Sequence, residues 1–377
     1  MSKKVILGLS GGVDSAVAAY ILKEQGYDVE CAFMRNWDAM ANNDFLGNPT
    51  NNDSQCPQEK DWEDACSVAE ALGLKIHRID FVKEYWDNVF QVFIDEYQKG
   101  RTPNPDILCN KYIKFDYFLK FALELGADYV ATGHYARVDH TKEEEIMLRG
   151  LDNNKDQTYF LCQLNQYQLS KTLFPIGELQ KSEVRKIANE LQLRIANKKD
   201  STGICFIGER NFREFLKNYI PMKEGNIIEY ETGKVVGKHQ GVMYYTIGQR
   251  KGLGIGGPGG PWFVIGKSVT KNELYVAQGA EDQWLFTNSC LVKGVNWISP
   301  KRFEGKLDCT AKFRYRQADK EVTLSWINDT DLLVEYKNPV SSVTPGQEAV
   351  FYQGEVCLGG GVIEEVYKNG EKVTYIE

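Results

Sequence analysis

Cysteine is the residue type in this sequence whose surroundings point most directly to chemistry. The chain holds nine cysteines, from Cys31 to Cys357, with no C-x-x-C pair. That odd number and wide spacing argue against a disulfide framework and against a closed four-cysteine zinc site. Cys109 follows Thr102-Pro103-Asn104-Pro105-Asp106, a proline-stiffened turn ahead of a helix. A helix N-terminus favours the thiolate. Asp106, three residues earlier, is placed to act as a general acid or base, and Lys111 and Lys114 add positive potential. Cys205 is bracketed by Gly203 and Gly208 and flanked by Lys198, Lys199 and Arg210. An exposed thiol beside cations has a lowered pKa. From residue type alone, Cys109 and Cys205 each read as either a reactive thiol or a small buried hydrophobe. The buried reading is taken for Cys31, Cys66, Cys162, Cys290, Cys309 and Cys357, and Cys56 reads as a loop thiol.

A second chemical feature lies at the start of the chain. Gly8-Leu9-Ser10-Gly11-Gly12-Val13-Asp14-Ser15 joins an apolar strand to an apolar-striped helix. Bare backbone N–H groups at a helix N-terminus bind anions. Gly11 and Gly12 allow close backbone approach, and Ser10 and Ser15 add hydroxyl donors. Asp14 reads either as a helix cap or as a group that helps hold a metal. The loop lacks the Gly-Lys-Ser/Thr ending of a Walker A motif and is not G-x-G-x-x-G.

These groups need a scaffold. Strands are expected at 4–9, 28–34, 75–79 and 129–132, and helices at 14–25, 57–72, 85–97 and 113–125. Such alternation implies a parallel sheet with right-handed crossovers. The polar 36–58 segment reads as a loop, and one that long inside a compact domain is usually functional or mobile. After about residue 216 Gly, Tyr and Val rise and helical stripes vanish. Residues 244–261 are a Gly/Pro-rich loop. Short strands at 309–316, 322–327, 332–336, 349–352 and 357–364 suggest a small all-β barrel or sandwich. The expected division is an α/β domain over 1–216, a small central linker domain over 217–284 and an all-β barrel over 285–377.

Composition narrows the class. The 377 residues carry 45 Lys+Arg and 52 Asp+Glu, a net charge of −7, so indiscriminate polyanion binding is disfavoured while a local basic face stays open. The 45 aromatic residues (20 Tyr, 18 Phe and 7 Trp) exclude disorder as the dominant state. No apolar run reaches the roughly 18 residues of a membrane span. Residues 5–9 are too short for a secretory segment, so a cytosolic setting is expected. The stretch 293–320 holds eight Lys/Arg against three Asp/Glu, whereas 321–377 holds three against ten. If 309–316 is one strand, Lys312, Arg314 and Arg316 share a face. That face reads as a phosphate-backbone contact or as an ordinary solvated surface.

Ser-Gly-Gly-x-Asp-Ser after a first strand resembles the loop of the PP-loop ATP pyrophosphatases, which have an adenine nucleotide alpha-hydrolase-like fold. Those enzymes cleave ATP to AMP and pyrophosphate while adenylating a carbonyl oxygen. GLSGGVDS, TPNPDILCNKYIKF, ATGHYAR, KDQTYFL, DSTGICFIGERNF and YTIGQRKGLGIGG follow in order from Gly8 to Gly257. With them the chain is similar, over essentially its whole length, to the tRNA-specific 2-thiouridylases (MnmA type).

The resemblance implies replacement of O2 of the wobble uridine (position 34) by sulfur, with ATP as cofactor and Mg²⁺ accompanying it, its ligands unnamed. It implies that Gly8, Leu9, Ser10, Gly11, Gly12, Val13, Asp14, Ser15, Met34 and Gly133 bind the nucleotide. Asn104, Pro105 and Asp106 would meet the target base. Lys155, Asp156, Gln157, Tyr315 and Arg316 would contact tRNA, joined by Arg250 and Lys251 in the Gly-rich loop. From the residues alone, Asp156 also reads as a helix cap.

Cys205 would carry sulfur as a persulfide, Cys109 would be the second catalytic thiol, and a transient Cys109–Cys205 disulfide would remain. Their 96-residue separation in sequence leads to the expectation that loop motion brings them together. The implied partners are Lys, Glu and Gln tRNAs and a cysteine desulfurase or sulfur-relay protein, with no membrane. Two placed thiols weigh against an iron–sulfur cluster, which prefers three or four, without deciding the matter. The rival readings are a PP-loop amidating ligase, a non-enzymatic tRNA-binding protein and a thiolase of another tRNA position. Relatives of the last kind commonly carry C-x-x-C pairs, which this chain lacks.

Overall fold

A computed structural model describes residues 2–50, 53, 57–200 and 203–376; Cys56 and the Ser201-Thr202 step lie outside them. The first part of the chain holds strands β1 (Lys4–Gly8), β2 (Asp28–Arg35), β3 (Lys75–Asp80), β4 (Tyr129–Ala131), β5 (Ala136–Asp139), β6 (Ile146–Arg149) and β7 (Thr172–Leu173), with helices α1 (Val13–Glu24) and α2 (Pro57–Leu72). Five of the strands form one parallel sheet in the order β3-β2-β1-β4-β7. Val5, Ile6 and Leu7 are fully buried. A central parallel strand covered on both faces requires such an unbroken apolar run. The chain builds from β1 outward through β2 to β3, then on the other side through β4 to β7. Open α/β sheets take ligands at the carboxyl ends of strands where the order reverses in this way. The carboxyl end of β1 there carries the Gly8–Ser15 loop.

The expected strands and helices form, and two helices differ in extent. Residues 82–98 are helical throughout, with Trp86–Phe90 in π-helical turns. Residues 105–124 are one helical run rather than a helix starting at 113. It is α over Pro105–Leu108, π over Cys109–Tyr117 and α over Phe118–Glu124. Apolar spacing at a 3.6-residue period reads only the α-helical end, because the wider π turn shifts the phase.

The central part is a four-stranded mixed sheet of β8 (Gly225–Glu229), β9 (Val235–His239), β10 (Trp262–Ser268) and β11 (Glu273–Gln278), in the order β10-β11-β8-β9. The Gly/Pro-rich segment between β9 and β10 is irregular apart from one short 3₁₀ turn, Val242–Tyr244. The last part is a closed antiparallel barrel of β12 (Phe286–Trp297), β13 (Lys306–Lys312), β14 (Lys320–Trp326), β15 (Leu332–Ser341), β16 (Glu348–Gln353) and β17 (Val356–Lys368). Pairing of β12 with β17 closes it. Its interior is filled by Val292, Ala311, Val322, Leu324, Val334, Phe351 and Ile363.

The barrel is bound tightly to the first part. The β5–β6 hairpin adds to β17 through Val356 and Leu148. On β16, Ala349 and Phe351 face the barrel core, while Val350 and Tyr352 face the core of the first part. No helix among the described residues is long and apolar enough to cross a membrane.

One expectation is corrected here. The strand expected at 309–316 ends at Lys312, because Ala311 pairs with Lys320 and the chain must turn between them. Gln317 closes that turn, its N–H on Arg314 O and its Oε1 on Phe313 N. Lys312, Arg314 and Arg316 therefore do not share a strand face. Arg314 points inward and donates to Ile247 O (2.6 Å), Ser342 O (3.1 Å) and Thr344 Oγ1 (2.9 Å). Arg316 alone is exposed.

Arg314→Met keeps the apolar stem and leaves Ile247 O without its donor, while Ser342 O and the Thr344 hydroxyl keep their bond to each other. At about 1–3 kcal/mol for an orphaned buried group, we expect a loss of that size, read by urea denaturation. Amide exchange over 244–261 should quicken. Unchanged stability would show that water replaces the bond to Ile247 O.

Candidate active site

The loop after β1 is shaped by backbone contacts that only glycine permits. Gly11 has φ +73°, and a Cβ there would lie 2.4 Å from Asp61 O. Gly12 is the N-cap of α1 and offers no side-chain cap, so the first-turn N–H groups point outward without an internal acceptor. This is the arrangement that binds phosphate. Ser15 Oγ accepts from Ser10 N (3.2 Å) and donates to Gly12 O (3.2 Å), tying the loop to its helix. A Cβ on Gly133 would sit 2.7 Å from Ser15 N, so the end of β4 presses directly on the loop. Met34 at the end of β2 is buried, its Cε 3.1 Å from where a Gly8 Cβ would stand.

Asp14 does not cap α1, since the cap position belongs to Gly12. It accepts from Lys181 Nζ (2.7 and 2.9 Å) and Tyr135 OH (2.9 Å). Lys181 also pairs with Asp200 (2.8 Å), which holds Lys155 (2.6 Å) and Arg185 (2.7 Å). Burial works to raise the Asp200 pKa, but the bonds from Lys155 and Lys181 outweigh it and bring it down to about 2. Nothing in the sequence marked Lys181 or Arg185, which lie far from any motif and reach the loop only through the fold. Among the described residues no three His, Cys, Asp or Glu side chains gather as a cation site.

The two candidate thiols lie together. Cys109 Sγ donates to Cys205 Sγ at 3.8 Å. The expected loop motion is therefore not needed to bring them into contact. Cys205 is fixed through its backbone, with its N–H on Asp106 Oδ1 (3.0 Å) and its carbonyl accepting from Tyr85 OH (2.8 Å). Gln58 Nε2 binds the next carbonyl, Phe206 O (2.8 Å). Asn104 caps the 105–124 helix by accepting from Asp106 N (3.1 Å), with Pro105 as the first helical residue.

Their acidities differ in direction. Cys109 is fully buried, and burial pushes its thiol well up, which overrides the helix-terminus effect expected for it. Cys205 is half-buried and its thiol is lowered, first by the hydrogen bond from Cys109 and then by Lys114. The flanking cations do not supply this. Lys198 turns to Gly11 O, Asp61 and Asp64, and Arg210 is closed in a buried pair with Asp44 (2.7 Å). Burial raises the Asp106 carboxyl above its usual range, against the pull of Cys205 N–H and Lys114.

The remaining candidates meet on one rim. Tyr315 packs on Phe160 at 4.3 Å between ring centroids, and Phe160 O accepts from Asn110, next to Cys109. Arg314 joins that turn to the loop bearing the exposed Arg250 and Lys251. Asp156 is buried and accepts from Gly150 N and Thr158, while Gln157 pairs with Tyr135 N. Of the three residues 155–157, Lys155 carries the charge toward the Asp200 network.

Gly133→Ala should keep the fold yet displace Ser15. ATP affinity, by titration calorimetry, should drop at least tenfold. Unchanged affinity would remove this contact from the nucleotide site.

Family models match three successive stretches: a tRNA methyl transferase HUP domain over residues 3–209, a tRNA methyl transferase PRC-barrel domain over 213–278, and an aminomethyltransferase beta-barrel domain over 287–363. A tRNA-specific 2-thiouridylase MnmA of Mesoplasma florum is 58% identical over 97% of this chain and 100% of its own. Those of Mycoplasma capricolum and Acholeplasma laidlawii are each 56% identical, over 98% and 100% of this chain and 100% of their own. The chain belongs to the tRNA-specific 2-thiouridylase MnmA family.

Proposed function

We propose that this protein is an ATP-dependent tRNA sulfurtransferase that converts the wobble uridine to 2-thiouridine. The observation that carries this reading is the pair of thiols 3.8 Å apart with opposite shifts in acidity. Two family-model descriptions speak of methyl transfer. Methyl transfer needs neither a phosphate loop of this kind nor two apposed thiols, and both features serve sulfur transfer. An amidating ligase would likewise have no use for the pair.

Gly8 to Ser15 hold the ATP phosphates on the bare start of α1, with Met34 and Gly133 lining the nucleotide. Uridine O2 takes the adenylyl group and pyrophosphate leaves. Asn104, Pro105 and Asp106 meet the extruded base, since C2 is out of reach in a stacked anticodon. Asp106, its carboxyl raised by burial, moves the proton. The outer sulfur of a Cys205 persulfide then attacks C2 as AMP leaves, either directly or after release as hydrogen sulfide by Cys109. By either route Cys109 attacks the inner sulfur, the bond to the outer sulfur breaks, and a Cys109–Cys205 disulfide forms that an external thiol reduces. A disulfide is about 2.05 Å long, so the 3.8 Å gap must shorten by about 1.8 Å.

Mg²⁺ is expected with the nucleotide. The carboxylate at the loop, Asp14, is already held by Lys181 and Tyr135, so the side chains here do not build a cation site of their own and no step is routed through the ion. Lys155, Arg250, Lys251, Tyr315 and Arg316 form the tRNA rim, with Asp156 and Gln157 shaping the segment from within. Lys, Glu and Gln tRNAs are the substrates the family implies, a cysteine desulfurase or relay protein is the sulfur source, and the cytosol is the compartment that keeps both thiols reduced.

Incubation with unmodified tRNA, ATP and a persulfide donor should release AMP and yield 2-thiouridine by mass spectrometry. AMP without thiolation would move the acceptor elsewhere. Cys205→Ser should abolish 2-thiouridine while ATP and tRNA still bind, and retained thiolation would end the persulfide assignment. Arg316→Ala should weaken tRNA binding several-fold and lower the salt slope by about 1. An unaltered slope would return Arg316 to plain solvated surface.

A further inference from the structure

We propose that Lys114 is a catalytic residue of the thiol site: its ammonium, steered by His134, is the hydrogen-bond donor that holds the Cys205 sulfur as an anion. The role in sulfur transfer rests on the thiolation reading above. The effect on Cys205 does not.

The placement starts from the helix. Lys114 comes five residues after Cys109. In an α-helix that is about 140° round the axis, facing away from Cys109. The Cys109–Tyr117 stretch is π-helical, and its i→i+5 turn brings residue 114 back beneath residue 109. Lys114 thus comes to the Cys205 loop, against the ring of the next residue, and its charge lowers the Cys205 thiol. Its Nζ stands 3.5 Å from His134 Nε2 and 5.6 Å from the centre of the Phe206 ring.

His134 is built to receive it. Burial first, and Lys114 second, lower its pKa well below the ordinary range, so the ring stays neutral. Its Nδ1 lies 2.7 Å from Thr132 Oγ1. With Nε2 accepting from the ammonium, Nδ1 carries the ring proton and donates to that hydroxyl. His134 is a positioning residue that fixes Lys114 without competing for the charge.

Other cations are committed elsewhere. Lys111 turns to Gln163 Oε1 (3.1 Å), Lys198 to Asp61 and Asp64, and Arg210 to Asp44. The groups facing Cys205 are Lys114, Cys109 and Asp106, with Tyr85 on its carbonyl. Burial would lower the Lys114 ammonium, but charge on Cys205, Cys109 and Asp106 more than offsets it, so Lys114 remains a cation. The thiolate matters because it attacks the outer sulfur of a donor persulfide. The donor S–S bond breaks, the donor cysteine leaves as thiolate, and the proton on the outer sulfur travels with it.

The test is peptide-resolved alkylation by iodoacetamide against pH, with melting curves for every variant. In the wild type Cys205 should react with a midpoint below the ordinary thiol value of about 8.5, and Cys109 only above it. Lys114→Met should raise the Cys205 midpoint by a unit or more and slow 2-thiouridine formation at pH 7 at least tenfold, and Lys114→Arg should restore part of both. Cys109→Ala removes the first donor, so the Cys205 midpoint should rise there too, and Lys114→Met added to it should raise it further. An unmoved midpoint in a folded Lys114→Met would overturn the assignment. So would a midpoint left unmoved by Lys114→Gln, a polar variant that stands even if Lys114→Met does not fold. A wild type that alkylates as predicted but never thiolates tRNA would refute the function while leaving Lys114 in place.

Discussion

The position of one sulfur depends on two backbone hydrogen bonds. Cys205 lies in a tight loop closed by a bridge between Ile204 and Gly208. Its N–H is held by the Asp106 carboxylate and its carbonyl by the Tyr85 hydroxyl. Buried backbone groups must be paired somewhere, and here the partners come from two different helical segments. The loop has no freedom to swing while both bonds hold. Phe206 is driven to φ +65°, a conformation that costs a bulky residue of the order of 1 kcal/mol or more. Gln58, on α2, clamps the carbonyl of that strained residue. The strain sits directly after the reactive sulfur and is held there by three side chains from outside the loop.

The barrel contributes to the same geometry from the other side. The turn that launches the 105–124 helix is seated on it. Thr102 N donates to Pro345 O, Gln347 Nε2 donates to Thr102 O, and a Cβ on Gly346 would stand 2.8 Å from Thr102 N. Arg101 pairs with Glu364 on β17 (2.8 Å). The helix that carries Asp106, Cys109 and Lys114 therefore takes its angle partly from the barrel. Tyr315 reaches back through Phe160 to the residue beside Cys109. On the proposed function, a substrate gripped on that rim would be registered against the thiols by packed side chains rather than by a flexible linker.

How much of this the sequence made legible follows from range. β1 and its glycine loop were readable because the signal is local: an apolar run, two glycines and a helix stripe. The barrel was readable because turn residues punctuate short strands. Arg314 misled because alternation was carried past the last paired residue of β13, and only the pairing of Ala311 with Lys320 shows where the strand stops. The flanking lysines of Cys205 misled for a similar reason. Nearness in sequence placed Lys198 beside the thiol, yet in the fold it supports Gly11 from below. The true cation was written in TPNPDILCNKYIKF all along, but its phase assumes a π turn, for which residue spacing gives no warning. Lys181 and Asp200 show the converse, an ionic chain to Asp14 assembled from positions far apart in sequence.

The two thiols show how one side-chain type acquires two roles. Cys109 and Cys205 are chemically identical and 3.8 Å apart, so neither inductive nor long-range effects can separate them. What separates them is which is fully enclosed and which receives donors. Cys109 has no exposed surface, and its own hydrogen is spent on Cys205. Cys205 receives that hydrogen and lies in the field of Lys114. Each proton withheld by Cys109 stabilises charge on Cys205, so the two shifts reinforce each other and belong to the pair rather than to either residue. A pair whose acidities are driven apart in this way offers one thiol that ionises more readily and one that keeps its proton. On the proposed function, once Cys205 bore an extra sulfur the negative charge would move outward, the demand on the Cys109 hydrogen would fall, and the second thiol would be free to act as the resolving nucleophile. Electrostatics would then set the order of events, with the more acidic thiol loaded first and the buried one called on last.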